Sequence, residues 1–340
     1  MTSGVTQGGE VASDPIPHWP GRMLSLPSGQ QVWLAETNTD PSPGTDRREL
    51  VLCVHGMTGD ATNWTDLMAE LAPEFDVVAV DLPGSGFSPP PRSRRGYSIT
   101  ALADTVLELI ATLTSTSKHR GPVHLMGNSM GGAVVVRAAA RRPDLVRTLT
   151  LVSAALPDRR PHRQTAHFPV LAMPVLGHRL ARQFGRIPAE NRIAGVLQTC
   201  YYDAATVHPA RVALSVAELR RRDALGYHAE VIIGAARALV LETFRPHAFS
   251  LWRDAERLRM PVLALFGTHD QLVSPSLADR ATRAFRSARI VVLAETGHLG
   301  QMEHPAKVAA LFREMVDTAQ AEADGGDTPG NAGHRDPVDA

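Results

Sequence analysis

The sequence predicts an α/β fold: a mostly parallel sheet with helices on both faces and a helical segment inserted between two strands. Three observations predict this fold. Short apolar runs alternate with helical patterns along the chain, which is typical of sheets built from βα units. The apolar runs are nearly continuous rather than alternating, as expected for strands buried on both faces. Between about residues 156 and 258 the strand pattern stops and only helical patterns remain.

The composition allows a large core and argues against a nucleic-acid partner. The chain has 340 residues, 44% of them hydrophobic, with 35 basic and 35 acidic side chains. Since there is no basic excess to neutralise phosphates, no nucleic acid is expected as a partner. No apolar run approaches the roughly 18 residues of a membrane span, and residues 1–20 lack the apolar region of a secretory signal. We therefore expect a cytoplasmic protein without a membrane span.

Both ends of the sequence are predicted to be tails. Residues 1–20 form a flexible N-terminal tail and residues 319–340 a disordered C-terminal tail, because small polar stretches cannot offset the entropy cost of ordering. The rest of the chain divides into a first core part at 21–155, a helical cap at 156–258 and a second core part at 259–318.

The core elements follow one another in a regular order. The chain opens with a predicted antiparallel hairpin, residues 23–26 and 31–35, around a Pro-Ser-Gly turn. Six further strands are predicted from short apolar runs: 50–54, 75–80, 123–126, 148–152, 261–266 and 290–293. Helical patterns are found at 64–72, 99–113, 133–137, 277–285 and 305–317.

The inserted segment is predicted to be a lid made of several helices. Four prolines interrupt its helical patterns, and proline cannot continue a helix. Residues 156–260 contain 16 arginines and nine acidic side chains, an excess of seven basic groups that would favour an anionic substrate. We interpret the run Arg220-Arg221-Arg222 as a solvated helix face.

A glycine-flanked serine follows the predicted strand at 123–126. The pattern Gly127-x-Ser129-x-Gly131 fits a nucleophile elbow, a tight strand-to-helix turn that exposes the serine hydroxyl above a sheet. Glycine suits the flanking positions because neighbouring backbone comes too close for a Cβ atom. The pattern therefore nominates Ser129 as a nucleophile.

A serine nucleophile requires a base and a carboxylate that orients the base. In parallel α/β sheets the reactive groups lie at the carboxyl ends of strands. Asp270 is the first carboxylate after the strand at 261–266, and His298 follows the strand at 290–293. The order Ser129, Asp270, His298 matches that of elbow-type hydrolases and predicts a catalytic triad.

Two backbone N–H groups are expected to stabilise the oxyanion of such a reaction. One belongs to the residue after the nucleophile, which is Met130, and the other to the loop after the third strand. That loop begins His55-Gly56-Met57, so Met57 is the second predicted donor.

Five motifs carry a resemblance to a known family: His55-Gly56, Asp81-Leu82-Pro83-Gly84-x-Gly86-x-Ser88, Gly127-Asn128-Ser129-Met130-Gly131-Gly132, Gly267-x-x-Asp270 and Gly297-His298. Over about residues 22–318 the chain resembles the α/β-hydrolase fold family. The resemblance implies an eight-stranded sheet, a helical cap over the site and no cofactor. The elbow is similar to that of the meta-cleavage-product C–C hydrolases. Epoxide hydrolases and haloalkane dehalogenases share the fold but carry aspartate where this chain has Ser129.

Other polar residues of these motifs are expected to have structural roles. Asp81 is the main alternative carboxylate, and in the family such an aspartate shapes the following turn. His55 resembles the family's structural loop histidine. His124 lies on a buried strand and is most simply a core histidine with its hydrogen bonds satisfied.

The leading hypothesis is a serine hydrolase that forms an acyl-enzyme from a carboxylic ester, lactone or thioester of a small apolar substrate. No cofactor is expected, and no metal site, since the two cysteines, Cys53 and Cys200, have no ligand-like spacing. Two alternatives remain open. One is C–C bond hydrolysis of meta-cleavage products, and the other is a ligand sensor of the same fold with slow turnover.

Overall fold

The computed structural model describes residues 19–38, 48–115, 119–158 and 163–324. Eight strands form one sheet in the order β1-β2-β4-β3-β5-β6-β7-β8. Only β2 runs antiparallel to its neighbours, and the other described pairs are parallel. The strands are β1 (Gly21–Ser25), β2 (Gln31–Glu36), β3 (Leu50–Val54), β4 (Asp76–Asp81), β5 (Val123–Asn128), β6 (Val146–Val152), β7 (Val262–Gly267) and β8 (Ala288–Leu293). The predicted fold class is confirmed.

Twelve α-helices lie in the described chain. They are α1 (Thr65–Leu71), α2 (Ile99–Thr114), α3 (Met130–Arg141), α4 (Phe168–Leu171), α5 (Pro174–Phe184), α6 (Ala189–Cys200), α7 (Pro209–Asp223), α8 (His228–Phe244), α9 (Leu251–Arg257), α10 (Leu277–Ala284), α11 (Gly300–Glu303) and α12 (Pro305–Asp324). Side chains of α2, α3, α9 and α10 join one buried apolar cluster against the sheet. Those of α1 and α12 join a second cluster. The sheet is therefore covered on both faces.

The segment between β6 and β7 contains α4 to α9, and its described residues include no strand. The last of these helices, α9, packs on the core. Leu251, Trp252 and Ala255 of α9 are buried in the same cluster as α3 and the sheet. The cap boundary predicted at residue 258 therefore follows a helix that packs on the core, and the remaining domain limits stay predictions.

The predicted tails lie mostly outside the described residues. At the C-terminal end, α12 continues to Asp324, beyond the helix end predicted at Asp317. Residues 319–324, predicted as part of the tail, are thus helical. Among the described helices, none is alone long and apolar enough to cross a membrane, although α7 and α8, bent by 101° at their junction, meet that test as a pair.

Candidate active site

Ser129 occupies a tight turn between β5 and α3. Its φ of 54° and ψ of −119° lie in a region that side chains rarely adopt, so the surrounding contacts must hold the turn. The Ser129 N–H donates to Val152 O at 3.0 Å, and its carbonyl accepts from Ala155 N at 2.8 Å. A Cβ at Gly131 would collide with the carbonyl oxygens of Val54 and His55, which explains why the position after next needs glycine.

Asp270 and His298 form a buried pair. His298 Nδ1 lies 2.9 Å and 3.0 Å from the two carboxylate oxygens of Asp270, and the two residues are only 3% and 4% exposed. Asp270 Oδ1 also accepts from the N–H groups of Leu272 and Val273. Burial opposes ionisation of Asp270, but the charge and hydrogen bond of His298 and the two N–H donors together lower its pKa below the ordinary value.

Asn128 joins the Ser129 turn to the His298 loop. Its Nδ2 donates to the carbonyl oxygens of Val152 and His298, both at 3.1 Å. Within the described chain the Ser129 hydroxyl makes no hydrogen bond of its own. The structure thus brings the loops of Ser129 and His298 together through Asn128, a residue that the sequence offered only as part of a glycine-rich motif.

The loop that carries Met57 passes directly beside Ser129. A Cβ added to Gly56 would lie 2.9 Å from Ser129 Cβ. Met57 packs against Leu171 and Ile233, which belong to α4 and α8 of the insertion. Met130 is the first residue of α3, a position where the backbone N–H has no acceptor within its helix. Met57 therefore lies in a loop that borders the serine, and Met130 follows the serine at the start of α3.

Arg222 corrects the interpretation of the arginine run as a solvated face. Arg222 is only 9% exposed, and its Nη2 lies 2.7 Å from Asp60 Oδ2. Its Nη1 donates to Thr58 O in the Met57 loop. Arg220 alone keeps an exposed side chain, paired with Glu190. The sequence could not reveal this contact because its two partners are more than 160 residues apart.

The other polar residues of the motifs have structural contacts. His55 Nε2 accepts from Leu82 N at 3.0 Å, and burial lowers the pKa of His55 to about 4. Asp81 accepts from the N–H groups of Ala61 and Phe87 at 2.7 and 2.8 Å, which fixes the loop after β4. His124 is buried against Thr148 and Glu49. All three have the structural contacts expected for their predicted roles.

The insertion also holds the His298 loop. The His298 N–H donates to Cys200 O at 2.6 Å. The Glu303 carboxylate accepts from Gly297 N at 2.9 Å and from Tyr202 N at 2.7 Å. Glu303 therefore connects the residue before His298 to the end of α6, a role for which the sequence gives no local signal.

A cavity of about 560 Å³ lies between the core and the insertion. Its walls come from the residues after β6 and β7 on one side and from α4 and α8 on the other, including Leu156, Phe168, Leu239 and Val273. The described residues that line it include no arginine, lysine or histidine. Two lining residues contact the candidate site: the Ala155 N–H donates to Ser129 O, and the Val273 N–H donates to Asp270 Oδ1.

The described residues contain no group of three or more His, Cys, Asp or Glu side chains positioned to hold a metal ion.

Comparison with known proteins adds three findings. A family model described as alpha/beta hydrolase fold matches residues 49–305. A pimeloyl-[acyl-carrier protein] methyl ester esterase from Neisseria meningitidis is 28% identical over 288 residues, covering 82% of this chain and 80% of its own. A thermophilic esterase from Thermogutta terrifontis has a TM-score of 0.65 at 25% identity, covering 88% of this chain and 99% of its own.

A dienoate hydrolase is also similar in fold. The structure of the 2-hydroxy-6-oxo-6-phenylhexa-2,4-dienoate hydrolase from Rhodococcus sp. strain RHA1 has a TM-score of 0.68 at 23% identity, covering 88% of this chain and all of its own.

Proposed function

Because the chain belongs to the α/β hydrolase fold family and is an enzyme of the hydrolase class, we propose that it is a serine hydrolase of carboxylic esters with an apolar acyl group. The observation that carries the proposal is the buried Asp270–His298 pair. Asn128 connects the loop of His298 to the turn that contains Ser129. A serine in a strained turn, a histidine and a buried carboxylate are the groups that acyl transfer requires.

In the proposed reaction His298 Nε2 takes the proton of Ser129 as the hydroxyl attacks the ester carbonyl. Asp270 holds the proton on His298 Nδ1 and stabilises the imidazolium that forms. The N–H groups of Met57 and Met130 stabilise the oxyanion, a contribution of roughly 3 kcal/mol for each donor in comparable sites. His298 then protonates the leaving alcohol, and water activated by the same histidine releases the acid.

The relatives and the cavity support an ester substrate. The Neisseria relative is named as a methyl ester esterase, and the Thermogutta protein as an esterase. The cavity, whose lining residues Ala155 and Val273 donate hydrogen bonds to Ser129 and Asp270, has mostly apolar walls, which suits an apolar acyl chain. The inserted helices cover the Met57 loop and form one wall of the cavity, so we propose that they act as its cap.

The C–C hydrolase alternative is less well supported. Its substrates carry a carboxylate, for which a cation would be needed in the pocket. The described lining of the cavity contains no cationic side chain. The nearby Arg137 and Arg245 each form an ion pair at 3.1 Å with the buried Glu242 of this lining.

Hydrolysis of p-nitrophenyl butyrate tests the proposal. We expect the wild-type enzyme to turn over, and Ser129→Ala to lose activity by about 10⁴-fold or more, since the acyl-enzyme can no longer form. A fluorophosphonate should label the wild type and not Ser129→Ala. Ser287→Ala, an exposed serine outside the site, is the matched control and should keep full activity.

Two outcomes would contradict the proposal. Equal activity of wild type and Ser129→Ala would remove Ser129 from the reaction. Tight binding of an ester without turnover would instead support the slow-turnover ligand sensor.

A further inference from the structure

Helix α5 exposes an unusual amount of apolar surface. Val175, Phe184 and Met173 are 67%, 53% and 51% exposed, and Leu176 and Ile187 are also exposed. We call residues 173–187 the α5 surface. Only Gly177 of this helix is buried, and it lies against Leu171 of α4. Leu180 packs against the cluster of Leu171 and Ile233, whereas the exposed apolar side chains do not serve the packing of α5 on its neighbours.

The α5 surface is also uniformly basic. Residues 163–189 contain four arginines and neither aspartate nor glutamate. Arg179, Arg182 and Arg186 are exposed, and none forms an ion pair with any described residue. The arginines of α7 differ, because each has an acidic partner: Arg211 with Asp66, Arg220 with Glu190, Arg221 with Glu218 and Arg222 with Asp60. Unlike α7, the α5 surface thus carries positive charge that no described acidic side chain compensates.

An ion pair joins α5 to α8. His178 Nε2 lies 2.5 Å from Glu230 of α8, and the neighbouring Arg94 reaches the same carboxylate at 3.1 Å. Glu230 and the neighbouring His178 mutually favour their charged forms, so the pKa of His178 is raised and that of Glu230 lowered. Beside this anchor Val175, Leu176, Arg179 and Arg182 remain exposed.

We propose that the α5 surface binds an anionic phospholipid bilayer. A surface segment on which exposed arginines stand beside exposed valine, leucine and phenylalanine side chains can lie at the headgroup boundary, where the apolar side chains enter the acyl region. Anionic headgroups attract the arginines without acidic competitors on the surface. A lipid surface is favoured over an acidic protein because the exposed apolar side chains stand on a convex helix, which a fluid headgroup layer accommodates without a matching groove.

Co-sedimentation with lipid vesicles tests this inference independently of any ester hydrolysis. We expect wild-type protein to bind vesicles that contain phosphatidylglycerol, to bind pure phosphatidylcholine weakly, and to be released as NaCl rises. Arg179→Glu/Arg182→Glu/Arg186→Glu should lower the partition coefficient roughly a hundredfold or more. Leu176→Ser/Phe184→Ser should also weaken binding, with its salt dependence retained.

The matched control replaces three exposed cationic residues outside the insertion, Arg283→Glu/Arg286→Glu/Lys307→Glu, and makes the same change in net charge. This variant should bind like wild type, and thermal unfolding should show that every variant is folded. Equal vesicle binding by both triple variants, or no binding by wild type, would overturn the proposal. The proposal would also be overturned if wild type did not bind vesicles but self-associated or bound an acidic protein, and if the α5 variants lost that association.

Discussion

Asp81 is a buried carboxylate whose protonation should be visible in the stability of the protein. Burial, reinforced by the charge of Asp60, raises the pKa of Asp81 from 3.8 to about 7. The folded state therefore holds this proton more tightly than the unfolded chain does. The stabilising contribution of Asp81 is complete below about pH 4 and is lost as the pH rises through about 7, at up to about 1.4 kcal/mol per pH unit.

The variant Asp81→Asn isolates this effect because the amide does not titrate. We expect the free energy of unfolding of wild type, minus that of Asp81→Asn, to fall steadily between about pH 4 and pH 7 and to level off above. Below about pH 4 the variant should be less stable than wild type by about 1–3 kcal/mol, since its NH₂ group would face one of the N–H donors, Ala61 or Phe87. Urea denaturation across this range measures both. A difference that does not change with pH would contradict the raised pKa.

Glu303 is expected to position His298 without touching the substrate. In Glu303→Gln one acceptor oxygen becomes an NH₂ group, so the bond to either Gly297 or Tyr202 is lost. Hydrogen bonds to charged groups are worth about 1.5–3 kcal/mol, and the resulting loop shift should lower kcat about tenfold with KM nearly unchanged. Steady-state kinetics on an ester measure the effect. Glu295→Gln, exposed on the same loop, is the matched control, and an equal loss in both variants would refute the positioning role.

At the scale of single residues, local sequence patterns predicted the candidate site residues that follow strand ends. They did not predict contacts between residues that are distant in sequence. Ser129, Asp270 and His298 could be nominated because each lies in the loop after a recognisable strand. Glu303 and Arg222 could not, because their hydrogen-bond partners are distant in sequence and nothing in a local stretch identifies them.

At the scale of elements, α7 is held to the Met57 loop by a buried ion pair. Replacing Arg222 by methionine would leave Asp60 buried without its cation, which typically costs about 3–5 kcal/mol. Asp60→Asn in the same chain removes the stranded charge while keeping a side-chain cap for the following turn. We expect the double variant to be more stable than Arg222→Met alone, as measured by urea denaturation in a double-mutant cycle.

The control for this cycle is Arg220→Met on the same helix. Arg220 is exposed and its pair with Glu190 is solvated, so the change should cost less than about 1 kcal/mol. If Arg220→Met and Arg222→Met were equally destabilising, the ion pair would not be what fixes α7 to the loop.

Element boundaries show which part of the fold depends on more than local sequence. The buried strands were predicted well because an apolar run on both faces is a local signal. The end of α12 was predicted too early, because its last residues lack an apolar pattern while their alanines and glutamates have high helix propensity. The placement of α9 on the core depends on which apolar surface its Trp252 meets, and that is decided only by packing.

At the scale of the whole molecule, core and insertion together form the cavity that Ala155 and Val273 line, and its size should set the preference for acyl chains. Each methylene that enters contributes about 0.8 kcal/mol, or about fourfold in kcat/KM, until the roughly 560 Å³ are filled. Val240 of α8 lines this cavity. In Val240→Trp the indole should occupy the space and lower kcat/KM for p-nitrophenyl decanoate at least tenfold, while p-nitrophenyl butyrate changes less than about threefold.

Val196→Trp, on the exposed side of α6, adds the same side chain outside the cavity and should leave the whole chain-length series unchanged. A uniform loss in Val240→Trp for short and long esters would indicate damage to the fold, which thermal unfolding would detect. If Val240→Trp instead kept the wild-type preference for long chains while remaining folded, the acyl group would have to bind elsewhere. The cavity would then have no part in substrate selection, even if Ser129, His298 and Asp270 carry out the proposed chemistry.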